Sequence, residues 1–92
     1  MSYFSQLATE IEDLMDDLSK TSAQRRLITE IANEEYSNSK TFEQFVSLAI
    51  TRAETMWHEA DLKGLEVPEL ETLIDQLENV YIAIQGGYYD HR

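Results

Sequence analysis

At 92 residues the chain is one domain's length, and a single domain of that size buries roughly 60% of its unfolded surface. Eighteen acids against seven bases give a formal charge of -11, while 42% hydrophobic residues in regular patterns argue against disorder. No basic stripe exists to neutralise phosphates, so direct nucleic-acid binding and anionic membrane surfaces are excluded, and with no cysteine so are disulfides and thiolate chemistry.

No apolar run approaches the ~18 residues of a membrane span, and Met1-Ser2-Tyr3-Phe4-Ser5 lacks the basic segment of a signal peptide. The expected location is the cytoplasm.

In the first segment Phe4, Leu7, Ala8, Ile11, Leu14, Met15 and Leu18 recur at steps of three and four, which predicts a helix over 2–19. Its other faces are acidic. Glu12 and Asp16 lie four apart, as do Asp13 and Asp17, and each like-charge pair opposes an isolated helix by roughly 0.2–0.5 kcal/mol. Asp16 and Asp17 also fall near the C-terminal end, where the macrodipole favours cations.

Thr21-Ser22-Ala23-Gln24 has the form of a capping box and opens a second helix over 22–37, with Leu27, Ile28, Ile31, Ala32 and Tyr36 inward. Arg25 and Arg26 stand in its first turn, close enough to the end of the first helix to neutralise Asp16 or Asp17, and Glu30, Glu34 and Glu35 restore an acidic surface. Ser37-Asn38-Ser39-Lys40 is turn material.

A second capping box, Thr41-Phe42-Glu43-Gln44, begins the longest helix, over 42–63 and about 33 Å long. Its broad apolar face runs from Phe42, Phe45 and Val46 through Ala49, Ile50 and Ala53 to Met56, Trp57 and Ala60, with Trp57 as a core anchor and Gly64 as the stop. Pro68 suits the first position of a fourth helix over 68–85, which carries Leu70, Leu73, Ile74, Leu77, Tyr81 and Ile84 inward and ends at Gly86-Gly87. The apolar periodicity shows no strand alternation, internal repeat or linker. The expected fold is all-α: one domain over 1–92, a compact antiparallel bundle of four amphipathic helices with 86–92 a short tail.

Glu54, His58 and Asp61 project from one side of the third helix, but neither the second histidine of a zinc protease nor a Glu-x-x-His pair accompanies them, so no metal or other cofactor is expected. Without a phosphate loop, a cysteine or a nucleophile elbow the chain is not expected to be an enzyme. Tyr88 and Tyr89, beyond the last helix, are apolar enough to dock on a second copy, which makes them the candidate interface of a homodimer.

What remains is the distribution of acids. Glu10, Asp13 and Asp17 form one row, Glu12 and Asp16 a second, and Glu71, Asp75 and Glu78 a third, with successive members about 4.5–6 Å apart along the axis. Duplex DNA offers one phosphate per about 1.7 Å of axis, as two rails across a groove, and rigid carboxylate rows can imitate such rails toward the Lys and Arg of a DNA-binding protein. A solvated surface kept for solubility is the plainer alternative.

In length, charge, helical pattern and the acid-rich opening from Tyr3-Phe4-Ser5-Gln6-Leu7 to Asp16-Asp17, the chain resembles the Arn anti-restriction proteins of T-even bacteriophages, which are acidic DNA mimics. The resemblance implies a dimeric inhibitor, acting in the host bacterial cytoplasm, of a restriction nuclease that cuts modified DNA, with nucleoid proteins as further partners. It carries no family residue over individually. The candidate partner-binding residues therefore rest on charge alone: Glu10, Glu12, Asp13, Asp16, Asp17, Glu30, Glu34, Glu35, Glu71, Asp75 and Glu78. The alternative, from another class, is a small helical immunity protein or antitoxin that neutralises one protein partner, which need not bind DNA.

Overall fold

A computed structural model describes residues 3–87, with side chains from Gln6 onward. Four helices follow one another: α1 (Tyr3–Leu18), α2 (Ser22–Glu35), α3 (Phe42–Leu62) and α4 (Pro68–Gln85). Connections of a few residues return the chain on itself each time, so successive helices are antiparallel neighbours, and a Gln85 Nε2 to Glu43 Oε2 hydrogen bond of 3.1 Å ties the end of α4 to the start of α3.

The helix starts are built as their residues predict. Thr21 and Thr41 adopt extended backbone, and each hydroxyl accepts from the amide three residues on, Gln24 or Gln44, at 3.1 Å. The two glutamines reach one residue further back than a capping box requires, accepting from the amides of Lys20 at 3.1 Å and Lys40 at 2.8 Å. Both turns also place a serine hydroxyl on a terminal carbonyl, Ser19 on Met15 and Ser39 on Glu35. The six-residue pattern Ser-Lys-Thr-x-x-Gln thus occurs at 19–24 and again at 39–44, a short internal repeat that apolar periodicity does not expose.

The second helix ends two residues before its expected limit. There the chain tightens into a 3-10 turn, Tyr36–Asn38, in which Asn38 Nδ2 donates to the Glu34 carbonyl and the Ser39 amide to that of Tyr36. At the end of α3 the Gly64 amide bonds the Asp61 carbonyl and the Leu65 amide bonds that of Ala60, the paired closure of a Schellman motif. Gly64 holds φ at +74°, and a methyl group added there would touch nothing. Gly64→Ala is therefore expected to destabilise by about 1 kcal/mol through backbone strain alone, read as a lower thermal midpoint with unchanged helical content.

Leu7, Ile11, Leu14 and Leu18 of α1, Ile28 and Ile31 of α2, Phe45, Val46, Ala49 and Ala53 of α3, and Leu70, Leu73 and Leu77 of α4 make one buried core. Phe4 lies outside the described side chains. Trp57 is half-buried against the core's edge, its ring stacked on His58 at 6.0 Å and 15°, so it flanks the core and does not anchor it. Ile74, too, is only partly buried. The helices α2 and α3 are central: α2 packs on all three others, α3 packs most extensively on α4, and α1 and α4 flank them without comparable mutual contact. The result is an elongated bundle of 45 × 25 × 21 Å.

Candidate functional site: acidic faces of the bundle

Burial of Leu7, Ile11, Leu14 and Leu18 against α2 and α3 dictates what α1 shows to solvent. Glu12, Asp13, Asp16 and Asp17 are exposed, and Glu10 is half-buried. Asp16 Oδ1 accepts from Arg25 Nη1 at 2.8 Å, the ion pair that the position of Arg25 suggested. Both side chains are more than half exposed, so the pair contributes only about 0.2–1 kcal/mol. Among the described residues Glu12, Asp13 and Asp17 have no cationic partner. One like-charge pair, Asp13–Asp17, therefore persists uncompensated on the outer surface of α1, while Arg25 offsets the Asp16 member of the other, Glu12–Asp16.

On α2 the expected acidic surface divides. Glu30 is exposed, Glu34 is partly engaged, and Glu35 is buried at 6% relative exposure, which removes it from any partner-facing set. The reason is periodicity: Gln24, Ile28, Ile31 and Glu35 follow at steps of four, three and four, so Glu35 continues the inward stripe. Arg52, from α3, satisfies it. Its Nε and Nη2 reach Glu35 Oε2 at 3.0 and 2.8 Å, its Nη1 reaches Glu34 Oε2 at 2.8 Å, and Asn38 Nδ2 donates to Glu35 Oε1 at 3.3 Å. The hydrogen bond to Glu35 raises the Arg52 pKa above its ordinary value, with partial desolvation opposing and the charges of Glu34, Glu35 and Glu30 assisting. Here the carboxylates tie α2 to α3. Nothing in the spacing of residues seventeen apart announced this contact, although Glu35 on the inner stripe was the available signal.

On α4, Glu71, Asp75 and Glu78 are exposed as their row requires, but the last two do not stand on an open face. They line an open groove of about 530 Å³ between α3 and α4, together with Glu54, Ser47, Thr51, Asn79, Ile50, Tyr81 and Ile82. Ile82, off the core stripe, is 66% exposed there. The row therefore reads as one wall of a mixed groove. A continuous rail would need an open face.

Glu54, His58 and Asp61 all face solvent, and among the described residues no three His, Cys, Asp or Glu side chains come close enough to hold an ion. No helix of the described residues is long and apolar enough to cross a membrane. Tyr88 and Tyr89 lie outside the described residues, and with them the candidate dimer interface. With the geometry in place, comparison with known proteins adds no relative: no protein family, curated protein or solved structure matches the chain.

Proposed function

We propose that this chain is an acidic decoy that occupies the DNA-binding surface of another protein, with the exposed carboxylates of α1 standing in for phosphates. The observation that carries the reading is the solvent face of α1, where Glu12, Asp13 and Asp17 stand without a cationic partner among the described residues while Leu7, Ile11, Leu14 and Leu18 hold the helix rigid beneath them. A surface serving solubility alone gains nothing from concentrating acids at i,i+4 on a helix end that disfavours them, since dispersed acids give the same net charge without repulsion. Three other features support a preformed anionic surface: the charge of -11, the absence of a basic stripe, and the diversion of two of the few bases, Arg25 and Arg52, into intramolecular pairs.

The recognition is one of charge geometry. Lys and Arg of the partner's groove meet carboxylates in place of phosphate oxygens, and long-range attraction speeds the encounter. A restriction nuclease is the target that the likeness to Arn implies, with host nucleoid proteins as further candidates and a homodimer as the acting species. The test is displacement. With the partner isolated by affinity capture from bacterial lysate, duplex DNA of unrelated sequence should release this protein, and the complex should weaken steeply with salt. A partner that holds the protein equally well in excess duplex would assign it to the immunity-protein class.

A further inference from the structure

The groove between α3 and α4 is built unlike the α1 face. Ser47, Ile50, Thr51 and Glu54 on α3 and Asp75, Glu78, Asn79 and Ile82 on α4 each follow the spacing i, i+3, i+4, i+7. That is the stripe a helix presents to another helix lying along it. The Gln85–Glu43 bond marks the antiparallel register, which sets Glu54 across from Asp75, Ile50 across from Glu78, and Ser47 across from Tyr81 and Ile82. The carboxylates consequently run from one end of the groove to its middle, and Tyr81 and Ile82 stand toward the other end. No helix of the bundle lies along it, since α2 and α1 account for the remaining contacts of α3 and α4 on the core side. Ile82 is left 66% exposed within it.

From this arrangement we propose that the α3–α4 groove docks a short amphipathic helix of a partner protein, one that carries apolar side chains for Ile50, Tyr81 and Ile82 and basic side chains one to two turns away for Glu54, Asp75 and Glu78. Charge decides between occupants. A second copy seated two-fold on this groove would either bring two sets of Glu54, Asp75 and Glu78 together or lay each set over the other copy's Tyr81 and Ile82, in both cases without a cation, and a nucleic acid would add phosphates to them. A cationic helix alone meets both ends of the groove favourably. This surface is independent of the α1 face: Asp75 and Glu78 belong to the groove, and Glu12, Asp13, Asp16 and Asp17 do not.

The probe is a synthetic helix-forming peptide with leucines along one stripe and arginines flanking it at one end, titrated into the isotope-labelled full chain. Amide shifts should concentrate in residues 47–54 and 75–82. Replacing Ile82 by Glu makes the protein more negative, so attraction by net charge alone would strengthen the complex; docking in the groove requires instead that affinity fall roughly tenfold with the lost apolar contact. Ile82 is exposed, so the variant should keep its helical circular dichroism, and Glu78→Gln gives a second reading, a weaker complex with an unaltered apolar end. Two results would overturn the proposal: shifts centred on residues 10–17, and equal or tighter binding by Ile82→Glu. Failure here leaves the α1 decoy untouched, because neutralising Glu12, Asp13, Asp16 and Asp17 should not shift the peptide's site.

Discussion

Neutralising the outer face of α1 in one variant, E12Q/D13N/D16N/D17N, is expected to leave the fold standing while removing partner binding. The stability side follows from opposing small effects. Relief of two like-charge pairs favours the helix by roughly 0.2–0.5 kcal/mol each, and removal of Asp16 and Asp17 from the C-terminal turn by roughly 0.3–1 kcal/mol each. Loss of the exposed Arg25–Asp16 pair opposes this by about 0.2–1 kcal/mol, so the variant should melt at or slightly above the parent. Binding should respond far more strongly. At about 1 kcal/mol for each lost charge contact, four contacts correspond to a fall of roughly 1,000-fold in affinity for a DNA-binding partner, with a flatter dependence on salt. Titration calorimetry at two ionic strengths measures both, and an unchanged affinity and salt dependence would reduce these carboxylates to a solvated surface.

The largest effect on stability is expected beneath that face. Leu14 has no exposed surface and sits among Leu7, Ile11 and Leu18 at the junction of α1 with the core, so Leu14→Ala should cost about 2–5 kcal/mol. A domain of this length holds about 5–14 kcal/mol in all, and 1 kcal/mol moves its midpoint by about 4–8 °C, so the melt should fall by roughly 10–30 °C. Ile74 carries the same number of carbons but is only partly buried, and its replacement by Ala should cost less. Equal losses at the two positions in a denaturant melt would contradict the placement of α4.

The contrast between Leu14 and Ile74 marks what periodicity can resolve. Both stand on apolar stripes, and the stripes place all four helices with ends correct to two residues, because each boundary carries its own chemistry: the threonine caps at 21 and 41, Gly64, Pro68 and the paired glycines after Gln85. What a stripe does not state is which neighbour covers it. For this reason Trp57 reads as an anchor yet sits at the edge, and Glu35, at a core-facing step of α2, reads as surface until Arg52 arrives from α3. The acidic face of α1 was legible, since exclusion from the core is a property of one helix. The α3–α4 groove was not, because it exists only once two helices are laid side by side, although Ile82 outside the core stripe was its one local trace.

The duplicated Ser-Lys-Thr-x-x-Gln turn has a kinetic consequence. Each copy closes its chain reversal with hydrogen bonds spanning four residues or fewer, so the reversals from α1 to α2 and from α2 to α3 are specified before any distant side chain has found its place. Little loop entropy stands between the extended chain and its first helical hairpins, which places the chain among topologies of low contact order that assemble in microseconds to milliseconds. Locality of this kind matters to a polypeptide of net charge -11: the turns are specified by bonds within each reversal and need no attraction between the acidic segments they bring together, which the apolar core then holds.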